Sequence, residues 1–122
     1  MDNLVAFFEI PAENVERAVK FYEAVVDVKL DVMCECETEK MAFFPAVNGL
    51  SGAISQAKDF YPSKDGVLIH FKVANMETAL TAVEKNGGKI TRPKTKIEAD
   101  GWGYFALFID SEGNSVGVCS DE

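Results

Sequence analysis

Asn14-Val15-Glu16-Arg17-Ala18-Val19 and Asn75-Met76-Glu77-Thr78-Ala79-Leu80 carry one pattern, half a chain apart in 122 residues. The echo extends outward. Phe8-Glu9-Ile10 precedes the first copy as Phe71-Lys72-Val73 precedes the second, and Lys29-Leu30 is matched by Lys89-Ile90. Self-similarity at this spacing means two copies of one supersecondary unit, and it constrains the fold more than any other feature.

Within each copy the asparagine is a good helix N-cap, with a glutamate in the first turn where the helix dipole favours it. Val15, Ala18, Val19, Tyr22, Val25 and Val26 recur at helical spacing and predict a helix over 14–26. Met76, Ala79, Leu80 and Val83 predict a second over 75–86, ended by Gly87-Gly88. Strands are expected at 4–10, closed by Pro11, and at 66–73, which holds the single histidine, His70. Three strands follow the first helix, at 28–34, 40–45 and 50–55, the last after a turn at Val47-Asn48-Gly49. After the second helix come a strand at 88–92, a charged loop through 91–100 around Pro93, a strand at 102–109, a hairpin turn at Asp110-Ser111-Glu112-Gly113-Asn114, and a strand at 115–119.

This reads as one α+β domain over 1–122. It comprises two βαβββ modules, 1–56 and 66–122, joined by a polar linker at 57–65. A right-handed crossover makes the first and last strands of each module parallel neighbours. Curved, barrel-like mixed sheets with helices outside are expected, with a cleft where the sheets meet.

Composition excludes some roles. The net charge is −8, and without clustered Lys and Arg nucleic acid is not an expected partner. No apolar run approaches the roughly 18 residues of a membrane span, and Met1-Asp2-Asn3-Leu4 has no signal-peptide character. Three cysteines without an export signal suit reduced thiols in a cytoplasm. Cys34 and Cys36 share a strand face. They are read as structural thiols rather than half a zinc site, since no second pair follows.

Phe8-Glu-Ile-Pro, Glu16-Arg-Ala-Val-Lys-Phe-Tyr22, Gly87-Gly-Lys-Ile, Gly103-Tyr-Phe-Ala-Leu-Phe and Asp110-Ser-Glu-Gly-Asn-Ser-Val-Gly117 resemble the glyoxalase/bleomycin-resistance/extradiol-dioxygenase, or vicinal oxygen chelate, superfamily. The resemblance implies paired βαβββ modules, frequent homodimers and a small-molecule cleft. It also implies a divalent ion held from the first and last strands of each module. Those positions fall near Val5, at Ser55 or Ala53, at Leu68 and at Gly117, and the usual His/Glu set is missing from them. No cofactor is therefore expected. Val26-Asp27-Val28 also lacks the glycine common after the first helix.

Alternation along strands groups Leu68 with His70 and Lys72, Val5 with Phe7 and Glu9, and Gly117 with Cys119. Parallel pairing then sets His70 beside Cys119. His70, Cys119 and Glu9 form a candidate catalytic trio, able to ligate zinc or to hold a Cys-His nucleophile pair. The competing reading is a packed core histidine and an inert buried thiol, and the repeat aligns His70 with Phe7. Phe7, Phe43, Leu68, His70, Trp102 and Tyr104 are candidate ligand contacts, with Trp102 and Tyr104 sharing parity and Phe105 and Phe108 expected to pack elsewhere. Asp59-Phe-Tyr-Pro-Ser-Lys resembles a cleft-bordering segment of the superfamily, which adds Tyr61 and Ser63 as candidates; the alternative is a solvated link.

Three functions fit. The favoured one is a homodimer binding a small apolar or aromatic ligand without metal. The second is a glyoxalase-type lyase or isomerase using Zn or Ni relocated to His70. The third is an interaction protein whose cleft is filled by its own side chains. Neither nucleic acid nor membrane is an expected partner.

Overall fold

The computed structural model describes residues 4–35, 39–47 and 50–122. Each half forms the expected unit: β1 (Phe7–Pro11), α1 (Val15–Val26), β2 (Asp31–Glu35), β3 (Glu39–Phe43) and β4 (Ser51–Ala57), then β5 (His70–Lys72), α2 (Met76–Lys85), β6 (Lys89–Lys96), β7 (Tyr104–Ile109) and β8 (Ser115–Ser120). Two separate four-stranded sheets result, ordered β1-β4-β3-β2 and β5-β8-β7-β6. First and last strands pair parallel, with Phe7 opposite Ser51 and His70 opposite Gly117. The remaining pairs are antiparallel.

The repeated asparagines perform the same local task. Asn14 Oδ1 accepts from Arg17 N at 3.0 Å, and Asn75 Oδ1 accepts from Thr78 N at 2.9 Å. Each satisfies a backbone donor that the helix cannot. The missing glycine after α1 is handled by Asp27, which adopts the left-handed conformation (φ 59°). A short aspartate side chain tolerates that region better than most residues.

The strand edges differ from the sequence expectation for identifiable reasons. The β1 ladder begins only at Phe7, because its partner β4 begins at Ser51; Leu4 is 97% exposed. The segment 66–69 likewise precedes the β5 ladder. Pro11 lies within β1 rather than after it. The predicted loop at 91–100 is largely strand, with β6 running through Pro93. An outer strand can carry proline, and the β6–β7 ladder shifts register between Arg92 and Thr95 around it. This strand also lines up Lys89, Arg92, Lys94 and Lys96, a concentration of positive charge that the expectation of no cluster passed over. Trp102 stands outside β7. The Val47–Leu50 turn includes residues outside the described set, as does the Cys34/Cys36 pair.

Both modules contribute to one apolar core. Phe21, Tyr22, Ile54, Met76, Val83, Phe108 and Val118 are essentially buried and belong to one cluster. The helices lie against each other. Phe71 of β5 meets Phe44 (ring centroids 5.2 Å), Tyr22 (5.7 Å) and Phe8 (5.9 Å) of the first module. The helix-covered faces of both sheets thus share one core, and the opposite face of each sheet is left uncovered within the chain.

A polar clamp fixes the docking. The turn Asp110–Asn114 inserts at the N-terminus of α1. Glu112, with a side chain 0% exposed, accepts from the backbone of Glu13 (3.0 Å) and Asn14 (2.9 Å) and from Arg17 Nε (2.6 Å) and Ser111 Oγ (2.9 Å). Asp110 accepts from Tyr22 OH at 2.5 Å and from the backbone of Glu112, Gly113 and Asn114. Asn114 Nδ2 donates to Pro11 O at 2.8 Å, and its Oδ1 accepts from Ser63 N at 3.1 Å. The linker is thereby tied to this turn at Ser63, while Tyr61 stays exposed. Burial raises the Tyr22 phenol well above its usual value, with the Asp110 charge adding to it. Burial would also raise the Glu112 carboxyl, but bonds from Arg17, Asn14 and Ser111 outweigh it and leave the group below its usual value.

Because the folded-state Glu112 carboxyl is depressed, its contribution is complete above the unfolded-state value and is lost as pH falls through the folded one. Thermal melts should therefore show stability falling below about pH 4.3, the usual glutamate range. Glu112→Ala should cost about 2–4 kcal/mol at neutral pH, measured by urea unfolding, and should reduce that acid dependence.

Candidate functional site

The uncovered faces are where the remaining chemistry gathers. Alternation sends Phe8 and Ile10 of β1 into the core and turns Phe7 and Glu9 outward. Phe7 is 39% exposed and packs 6.0 Å from Phe43 of β3, across β4. Glu9 accepts a 2.8 Å hydrogen bond from Ser55 Oγ, whose residue is 1% exposed. The first open face is therefore aromatic at one end and carboxylate–hydroxyl at the other.

On the second sheet, Phe71 enters the core while His70 and Lys72 face out. His70 Nδ1 lies 3.5 Å from Cys119 Sγ, as parallel pairing of β5 and β8 predicts. Gly117, opposite His70, makes this possible. A Cβ built there would meet Nδ1 at 2.3 Å, so only glycine lets the imidazole lie against β8. Burial pushes the Cys119 thiol above its usual value. Lys72 is exposed and pairs with Asp121 at 3.6 Å.

Two residues of this face were not among the sequence candidates: Arg92 was not singled out, and Phe105, expected to pack elsewhere, lies on it. Phe105 lies opposite Cys119 in the β7–β8 ladder, its ring 6.4 Å from that of His70. The Arg92 guanidinium lies 5.3 Å from the Phe105 centroid. Counting strand residues back from the Asp110–Asn114 turn would have found Phe105. Arg92 was hidden because β6 carries a proline and was expected to end there.

Other candidates are placed elsewhere. Tyr104 has the parity of the buried Ala106 and Phe108, packs on the core and carries Lys94 Nζ 4.6 Å above its ring. It faces the helices, the reverse of the expectation that it joins Trp102 on a cleft face. Trp102 is 69% exposed in the loop before β7. Leu68 is 42% exposed just before β5. Tyr61 donates to Asp59 Oδ1 at 3.1 Å and lines a cavity of about 220 Å³ with Ile10, Val67 and Asn114. A wider groove of about 640 Å³ runs between the modules, lined by Val5, Phe8, Phe44, Gly52, Ile69 and Phe71, and also by His70 and Lys72.

Glu9 and the His70–Cys119 pair stand on different sheets, and the chain does not bring the trio together. Among the described residues there is no group of three or more His, Cys, Asp or Glu side chains placed to hold a metal ion. At the positions where the resemblance implies ligands, Val5, Leu68 and Gly117 have no donor atom, and Ser55 is engaged with Glu9. The superfamily's ion does not fit this donor set. No helix among the described residues is long and apolar enough to cross a membrane.

The sequence and the coordinates have clear relatives. A family model described as Glyoxalase/Bleomycin resistance protein/Dioxygenase superfamily matches residues 4–118. A glyoxylase-like domain-containing protein of Didymella fabae is 29% identical, over 95% of this chain and 92% of its own. The fold is shared with a glyoxylase/bleomycin resistance protein/dioxygenase domain from Frankia sp. EAN1pec (TM-score 0.74, 16% identity, 98% of both chains). It is also shared with a glyoxalase/bleomycin resistance protein from Albidiferax ferrireducens T118 (TM-score 0.73, 14% identity, 97% and 98% covered).

Substituting Gly117 by alanine should drive the His70 ring off β8. Because His70 is the only histidine, its imidazole signals in proton NMR read this directly. They should shift, and stability should fall by about 1–3 kcal/mol from the steric clash. Unchanged imidazole shifts would contradict the placement of the ring.

Proposed function

The chain belongs to the glyoxalase/bleomycin resistance protein/dioxygenase superfamily, and from that premise we propose that it is a homodimeric, cytoplasmic, metal-independent binder of a small apolar or aromatic molecule. The observation that carries this reading is the pair of uncovered sheet faces. Phe7 and Phe43 present a tilted ring pair, Leu68 adds exposed apolar surface, and of the positions that would grip an ion Val5, Leu68 and Gly117 offer no side-chain ligand atom while Ser55 is bonded to Glu9.

One open face is a wall, not a cleft. A ligand enclosed on both sides needs a second wall, and the helices of this chain cover only the other face of each sheet. A second copy supplies that wall by laying its own open face opposite. The exposed apolar side chains Phe7 and Leu68 would then leave water, each contributing on the order of 1–2 kcal/mol if fully covered. Aromatic rings on both walls favour a planar ligand through offset or edge contacts.

Glyoxalase-type isomerisation needs a metal to polarise a carbonyl and a base to move a proton. With valine, leucine and glycine at the ligand positions and Glu9 remote from His70, the residues do not support the relocated Zn or Ni alternative. We expect no enzymatic isomerisation of the methylglyoxal–glutathione hemithioacetal with added Ni²⁺ or Zn²⁺. Native mass spectrometry should give the dimer mass. The neutral fluorescent probe N-phenyl-1-naphthylamine should bind, with affinity about tenfold weaker in the Phe7→Ala/Phe43→Ala variant. A monomer with no probe binding, or a metal-dependent turnover, would reject the reading.

A further inference from the structure

The second open face holds a row of four different functional groups, one from each strand. Imidazole (His70, β5), thiol (Cys119, β8), phenyl ring (Phe105, β7) and guanidinium (Arg92, β6) follow one another across the sheet. Binding an apolar ligand requires only the ring. We propose that this row is a covalent-capture site for small carboxylated soft electrophiles, such as α,β-unsaturated carboxylates. Cys119 is the nucleophile, His70 the base that takes its proton, and Arg92 the anchor for the carboxylate.

Geometry supports each role. Cys119 Sγ and His70 Nδ1 are 3.5 Å apart, within reach for transfer from S–H to a neutral imidazole. Burial keeps this thiol protonated near neutrality, so an adjacent base is what would make it reactive. Gly117 supplies the room that puts the ring there.

The chain has two arginines. Arg17 is engaged by Glu112. Arg92 is exposed, held over Phe105 and bonded through Nε to Thr95 Oγ1 at 3.5 Å, and it has no carboxylate ion pair among the described residues. A guanidinium in that state is a bidentate carboxylate receptor in a protein otherwise of charge −8. The other charges beside the thiol are Lys72, opposite it in register, and the Asp121 that Lys72 pairs with.

In the reaction, Sγ bonds to the β-carbon of the alkene and the C=C π pair moves to the α-carbon. The thiol proton passes through His70 Nδ1 to that α-carbon. No oxidant or further reactant is required.

Iodoacetate and iodoacetamide test the site as charged and neutral probes of one size. With either, the S–C bond forms, iodide leaves and the thiol proton goes to His70. The rate at the Cys119 peptide is read by mass spectrometry. The ratio of iodoacetate to iodoacetamide rates should exceed that of glutathione roughly fivefold through local charge attraction. Arg92→Gln should return the ratio to the glutathione value without slowing iodoacetamide. His70→Gln should slow both reagents at least roughly tenfold, with the Cys34/Cys36 peptide unaffected as internal control. A ratio indifferent to Arg92→Gln, or a Cys119 rate indifferent to His70→Gln, overturns the proposal.

The inference rests on the open face being a ligand surface, but the two fail separately. Loss of naphthylamine binding with charge-selective alkylation intact would reject the apolar-ligand reading alone. Naphthylamine binding with unselective alkylation would reject only the capture site.

Discussion

The carboxylate of Glu112 at the N-terminus of α1 decides how the two modules sit. It accepts from two backbone amides that the helix leaves unpaired and from the Arg17 guanidinium. Each donor belongs to the first module and the acceptor to the second. A buried carboxylate is tolerated only with such saturation. With Asp110 gripping Tyr22 and Asn114 gripping Pro11, the turn between β7 and β8 cannot slide without leaving buried polar groups unmatched. That specificity holds the helix-covered faces against each other, and Phe71 then meets Phe44 and Phe8 across the seam.

Once those faces share a core, strand alternation decides what is displayed on the other side. A residue one position away from the core is turned outward. Phe8 packs on the seam, so Phe7 and Glu9 are displayed; Phe71 packs on it, so His70 and Lys72 are. The chemistry of the open faces is thus a by-product of the same pleat that builds the core. It is presented on strands, which hold side chains more rigidly than loops do.

The doubling and its local consequences were legible in the residues. Matching asparagines gave matching caps, and helix limits agree with the periodicity to within a residue or so. The His70–Cys119 neighbourhood followed from the parallel pairing of first and last strands. What was not legible depended on partners distant in sequence. Whether 4–6 or 66–69 joins a ladder depends on where β4 and β8 begin. Tyr104 was assigned to the cleft by its parity with Trp102, but Trp102 lies in the loop, and Ala106 and Phe108 set the direction of β7. Pro93 reads as a strand end, yet on an outer strand it is accommodated by a register shift in the β6–β7 ladder between Arg92 and Thr95. The placement of Glu9 and His70 on separate sheets depends on module docking, which no local pattern encodes.

The repeat also explains why the two open faces need not do the same thing. Equivalent strands share backbone geometry, but the displayed residues have diverged. Module one shows a ring pair and a carboxylate bonded to a hydroxyl, Glu9 to Ser55. Module two shows imidazole against thiol, with a guanidinium over a ring. Core-facing positions are constrained by the shared seam, where a change of volume is felt on both modules. Outward positions escape that constraint and can change without loss of the fold. A second copy that set one module's face against the other's would oppose a wall of rings and carboxylate to a wall of nucleophile and cation. A ligand held between them would meet two complementary surfaces rather than one surface twice, which a homodimer of unrepeated modules could not offer.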